Sequence, residues 1–159
     1  RELLLVATTL ILGGLLFIIV ERWGKRVVPF EHLTKTQAFI IGCAQALALI
    51  PGVSRSGSTI IAGMALHLKR DAATHFSFLL AVPIIALAGA KRLIDLFMGV
   101  PLTFDQIVVF LIGFITAAGV GALCIRYLLE HVKTKTFLLF AIYRIALGVL
   151  LLVIVLLRQ

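Results

Sequence analysis

Charge is scarce in this chain, and acidic charge scarcer still. Only 14% of its 159 residues are Asp, Glu, Lys or Arg, whereas a soluble domain keeps about a quarter of its residues charged. With 62% hydrophobic residues and a mean hydropathy of +1.17, a soluble globular domain is excluded. What remains is an integral membrane protein, one unit of a few spans. The acids number only seven, and Glu2, Glu21, Glu31, Asp71, Asp95, Asp105 and Glu130 all stand at the ends of apolar segments. Mid-span carboxylates, which would serve as a general base or as metal ligands, are missing. Cysteine is rare too. Cys43 and Cys124 lie inside apolar segments without metal or CxxC spacing, and read as buried thiols acting as small hydrophobes.

The histidines are equally uninformative as ligands, since no pair has metal-ligand spacing. His32 and His131 fall in charged connectors and read as solvated; His67 and His75 flank the Lys69-Arg70-Asp71 turn, where Asp71 reads as a helix cap. No metal site is therefore expected among this chain's own residues. The net charge of +8 does not indicate nucleic acid either. The cations cluster at the ends of apolar runs instead of forming a stripe with interleaved aromatics, which is the mark of membrane topology.

Four runs are long enough to cross a bilayer: 3–20, 72–90, 107–125 and 137–157. The first ends in Glu21-Arg22-Trp23 with no small-residue cleavage site, so it reads as a span, with Trp23 as an interfacial anchor. The chain enters this run directly after Arg1-Glu2, a start that suggests sequence upstream. Gly24 to Thr36 is a polar connector. Pro83, inside the second span, should kink it. Gly113, Ala117 and Gly121 recur every four residues as a small-residue stripe, which permits a homodimer or close packing within one chain.

The region 37–68 behaves differently. Gln37 to Ile50 would be about 21 Å long as a helix and Thr59 to Leu68 about 15 Å, while the hydrocarbon core is about 30 Å thick. Pro51-Gly52 breaks the chain between them. Two half-length helices joined by a polar loop, 51–58, make a re-entrant hairpin; the rival is one long kinked span with Arg55 at its centre. With a hairpin, nine Lys and Arg fall on one side and four on the other, the four being Arg1, Lys91, Arg92 and Arg158. The positive-inside rule then makes the nine cytoplasmic and points the hairpin tip outward. Arg55 and Arg144 are left at membrane depth.

A cation at that depth is costly and is a functional hypothesis by default. Arg55 stands between Ser54 and Ser56, followed by Gly57, Ser58 and Thr59. Its planar fork suits phosphate oxygens, and a helix beginning at Thr59 would add backbone N–H groups and its dipole. With Gly52 and Gly57 the segment reads as a phosphate cradle. Alternatively Ser58 or Thr59 simply caps the helix and Arg55 bonds stray carbonyls or pairs with an acid. Arg144, within the last span, could bond a carbonyl, snorkel to the interface or join the cavity; Gln45 could line it or bond a neighbouring helix. A transport protein remains a rival, because broken helices meeting at mid-membrane also make substrate sites. So does a non-catalytic membrane remnant.

"PGVSRSGST", Pro51 to Thr59, strongly resembles a signature of the bacterial undecaprenyl-diphosphate phosphatases, the bacitracin-resistance family. "FSFLLAVP" (Phe76 to Pro83) and "FAIYR" (Phe140 to Arg144) look like further family blocks in the right order. The resemblance implies an all-α polytopic fold of two inverted repeats, each with a re-entrant hairpin, of which this chain is the second half. It implies hydrolysis of undecaprenyl diphosphate to the monophosphate at the inner membrane, with the site facing outward, for peptidoglycan precursor recycling. Arg55 would hold the diphosphate, supported by Ser54, Ser56 and Thr59, and Gln45 would be the counterpart of an acid in the first repeat. The family's glutamate-rich first signature and its histidine loop do not occur here. The acids and the implied divalent metal (Mg or Ca) would belong to that missing N-terminal half, a partner for this chain.

Overall fold

The computed structural model describes residues 2–99 and 103–157; Arg1 and Arg158 of the charge count lie outside them. All regular structure among the described residues is helical. Helix α1 runs over Glu2–Trp23, α2 over Lys35–Gln45, α3 over Arg55–Ala65, α4 over Arg70–Phe97, α5 over Phe104–Thr134 and α6 over Leu138–Leu157. Four of these, α1, α4, α5 and α6, are long and apolar enough to span a bilayer. The chain is an all-α membrane protein. Helix α4 continues through Pro83.

Helices α2 and α3 are 11 residues each, about 16 Å at 1.5 Å per residue, and they fold back on one another. At their base Gln37 Nε2 donates to Leu66 O at 3.2 Å. The connector after α1 closes the same end. The N–H groups of Val27 and Val28 both donate to His67 O at 3.0 Å, and Lys69 N–H donates to Val28 O at 2.8 Å. A single long kinked span is therefore ruled out, since its two ends would lie far apart. Thr34 opens α2 with a capping box to Gln37, which satisfies two of the orphan donors at a helix start.

Two boundaries differ from the sequence expectation. Helix α2 stops at Gln45, and Ala46–Leu49 form a tighter 3-10 turn before Pro51. Helix α3 begins at Arg55 instead of Thr59, because Ser54 takes an extended backbone and its Oγ accepts from Gly57 N–H at 3.1 Å. Ser54 is therefore the cap; Ser58 and Thr59 are already inside the helix. Asp71 is not a cap either. It lies in the first turn of α4, behind Lys69.

The core gathers at the base of the hairpin, where Phe17, Ile41, Ile60, Met64, Leu68 and Phe137 pack from three helices and two connectors. Helices α1 and α6 form the most extensive pair. Their approach rests on glycines: a Cβ on Gly14 would stand 2.9 Å from Ala141 O, and one on Gly148 would stand 2.9 Å from Ala7 O. At Gly113 and Gly121, by contrast, an added Cβ would meet nothing within 4 Å. The tight packing of small residues is on α1 and α6, not on the α5 stripe. Cys43 and Cys124 are both exposed, which corrects their reading as buried thiols. An apolar segment in a membrane protein need not cover every side chain with protein, and these two lie on uncovered faces.

Candidate functional site

The hairpin tip is pinned against two spans. Gly52 has φ +86°, a left-handed conformation that glycine alone adopts cheaply. The tip also leaves no room for a side chain: a Cβ on Gly52 would run into Thr9 Oγ1 and stand 2.9 Å from Val6 Cα. Thr9 Oγ1 lies 3.0 Å from Pro51 O, with Leu5 O and Val6 O as competing acceptors in its own helix. From the other side Arg144 Nη2 donates to Gly52 O over a long 3.4 Å.

Arg144 is 5% exposed, so it does not snorkel. Its guanidinium is surrounded by glycines. A Cβ on Gly13 would come within 2.6 Å of Nη2, and one on Gly57 within 3.3 Å of Nη1. No carboxylate pairs with it among the described residues, and its Nε has no hydrogen-bond partner there. A buried cation in this state is held only by one long bond to a carbonyl and by close packing, an arrangement that costs free energy. It contributes to one wall of a cavity of about 350 Å³, shared with Thr9, Ser54, Gly57 and Ser58.

At the start of α3 Ser58 N–H donates to Ser54 O at 2.8 Å and Gly57 N–H to Ser54 Oγ. The N–H groups of Arg55 and Ser56 have no partner among the described residues. Beside them the hydroxyls of Ser54 and Ser56 stand 3.4 Å apart. Arg55 itself is half-buried, and its guanidinium has no hydrogen bond or ion pair among the described residues. Free helix N–H groups, two hydroxyls and an uncommitted arginine thus fall within three consecutive residues, all of them donors of the kind that suit an anion. Gly57 is shared by a second cavity of about 330 Å³, walled by Phe17, Phe78, Phe137 and Phe140. The terminus thus sits between two apolar-walled spaces.

The structure separates the expected residues into two groups. Ser54, Arg55, Ser56 and Gly57 meet at the α3 terminus, with Gly52 and Arg144 behind the loop. Thr59 is apart: 1% exposed, its Oγ1 lies 2.7 Å from Ser77 Oγ and bonds back to its own helix, which ties α3 to α4. Gln45, the last residue of α2, is half-buried with no side-chain bond among the described residues. Sequence reasoning missed Thr9 and Gly13. The signal was available, as a Thr-Thr pair and a Gly-Gly pair interrupting an otherwise aliphatic run.

Among the described residues no three of His, Cys, Asp and Glu come together as a metal site would require. This donor set does not fit a divalent cation.

Comparison with known proteins bears on the same stretch. The family described as bacitracin resistance protein BacA matches over residues 1–150. A protein of Corynebacterium glutamicum named undecaprenyl-diphosphatase is 43% identical over 94% of this chain and 51% of its own length. An undecaprenyl-diphosphatase of Corynebacterium jeikeium is 45% identical over 94% of this chain and 53% of its own. One of Caldicellulosiruptor bescii is 41% identical over 99% of this chain and 58% of its own. The chain spans about half the length of the curated relatives it matches. It belongs to the bacitracin resistance protein BacA family.

Proposed function

We propose that this chain carries the phosphate-binding half of an undecaprenyl-diphosphatase, acting on the diphosphate of the C55 lipid carrier. The observation that carries the reading is the α3 terminus. Two unpaired N–H groups, the Ser54 and Ser56 hydroxyls and the uncommitted Arg55 converge at a hairpin tip flanked by apolar cavities. A lipid diphosphate has the matching form, an anionic head on an apolar chain.

In this reading Arg55 engages the phosphate oxygens through its fork, and the first N–H groups of α3 stabilise the charge that builds on them as the phosphoanhydride breaks. Arg144 acts behind the loop. By holding Gly52 O it fixes the tip, and with it the direction of the helix start. Thr59 sets the distance of α3 from α4 through Ser77. Ser54 Oγ is committed to Gly57 N–H, and neither an imidazole nor a carboxylate bonds it or Ser56 among the described residues. These residues therefore bind and orient the diphosphate, while the base and any divalent metal come from the part of the family that this chain does not span. The charge count supports an inner-membrane location with the tip facing outward.

Phosphate release from undecaprenyl diphosphate in detergent with a divalent metal tests this. The chain alone is expected to release none. Mixed with the N-terminal half of a relative it is expected to be active, and Arg55→Ala should lower that activity by at least 100-fold. Activity from the chain alone, or from the Arg55→Ala mixture, would contradict the reading.

A further inference from the structure

At the opposite end of the molecule from the hairpin tip, four cations face one small cavity. Arg26 from the connector, Lys69 and Arg70 at the start of α4, and Lys133 near the end of α5 line a space of about 180 Å³ together with a single acid, Asp71. Part of this charge is already answered. Glu21, 9% exposed, accepts from Arg70 Nε at 2.7 Å and pairs with Arg26 across 3.4 Å, and Lys133 meets Glu130 at 2.8 Å in an exposed pair. Exposed pairs of that kind hold weakly. Arg26 Nε is buried without a partner among the described residues. Against four cations, the acids Asp71, Glu21 and Glu130 leave one positive charge in surplus at the walls.

The small cavity does not stand alone. Lys69, Asp71 and Lys133 also line a larger cleft of about 790 Å³ between α4, α5 and the connector, where Arg126, Glu31 and Glu130 bring the charges to balance and the wall is apolar along Ala122, Ile125 and Leu129. A cationic pocket therefore opens onto an apolar groove running up a spanning helix. We propose that this cleft binds the phosphate-bearing headgroup of an anionic membrane lipid, with an acyl chain along the α4–α5 groove. One feature favours a lipid over a free anion: the polar space adjoins an apolar groove that an acyl chain can fill. Basic pockets between spanning helices on the positive side of a membrane bind such headgroups. The site is independent of the hairpin tip and does not rest on the phosphatase reading.

Positive charge at this end would attract anionic lipid diffusely in any case, so the test must separate a site from a field. The chain in neutral detergent is titrated with dioctanoyl phosphatidylglycerol, dioctanoyl phosphatidylcholine or inorganic phosphate, and thermal unfolding is followed through its one tryptophan, Trp23. Phosphatidylglycerol should raise the melting temperature at concentrations where the other two do not. The double variant Lys69→Gln/Lys133→Gln should need at least tenfold more lipid for the same shift. Lys25→Gln/Lys35→Gln, which removes equal charge from exposed positions in the connector and at the start of α2, should need no more than the unaltered chain. Equal weakening in both pairs would reduce the effect to diffuse charge and overturn the site. Equal protection by phosphatidylcholine or by inorganic phosphate would overturn the lipid assignment. Melting of each variant without lipid shows whether it is folded.

Discussion

Two arginines lie at membrane depth, and their surroundings assign them different work. Arg55 has no committed partner among the described residues and stands beside free N–H groups; Arg144 is buried, wedged against Gly13 and Gly57 and bonded to Gly52 O. Arg55→Ala should therefore leave thermal stability within about 0.5 kcal/mol, as for most changes that break no contact. Arg144→Ala strips the Gly52 carbonyl of its donor and should cost about 1–3 kcal/mol. Melting curves in detergent check the split; equal losses would show that Arg55 is structural as well. Sequence singled out both residues, because a cation inside an apolar run is conspicuous. It could not separate them, because the difference lies in what packs around each. Thr59 shows the same limit. Its neighbours Ser54 and Ser56 reach the helix terminus, while one turn further on the hydroxyl is turned into the α3–α4 contact with Ser77.

At the level of elements, the hairpin depends on a cap and a turn. Removing the Ser54 cap by Ser54→Ala should cost about 1 kcal/mol, while Ser54→Gly should cost only a few tenths. Gly52→Ala faces both a left-handed φ and the backbone of α1 at Val6. The conformation alone costs about 1–3 kcal/mol, so this variant should be the least stable of the three. A Gly52→Ala chain melting with the parent would show that the tip is not held against α1. The two half-length helices and the break at Pro51-Gly52 were legible, because length against bilayer thickness is a simple comparison. The true start of α3 was not. Four hydroxyl residues in six positions each offer a plausible cap, and backbone geometry alone chooses Ser54. The glycines of α1 and α6 were hidden for a related reason. Gly13-Gly14 has no regular spacing to announce it, whereas Gly113 and Gly121 of the regular α5 stripe stand against nothing among the described residues.

As a whole molecule, the chain has a cationic end closed by the connector and Glu21, and a hairpin tip at mid-span of α1 and α6. The charge bias predicts which side is which. In a background with Cys43→Ala and Cys124→Ala, a cysteine at Lys25 or Lys135 should resist an impermeant thiol reagent added to intact cells, and one at Gly99 should react. The reverse pattern would invert the proposed topology. Hydropathy made the four spans legible but was silent on which faces are covered, which is why both thiols were misplaced. Helix α5 extends this point, since Val132 is its one buried residue among those described. The measurement that bears most directly on the central claim is equilibrium binding of undecaprenyl diphosphate to this chain in detergent, with Arg55 intact or changed to Ala. At least a tenfold loss of affinity in the folded Arg55→Ala chain is predicted. Unchanged affinity would contradict a phosphate site at the start of α3.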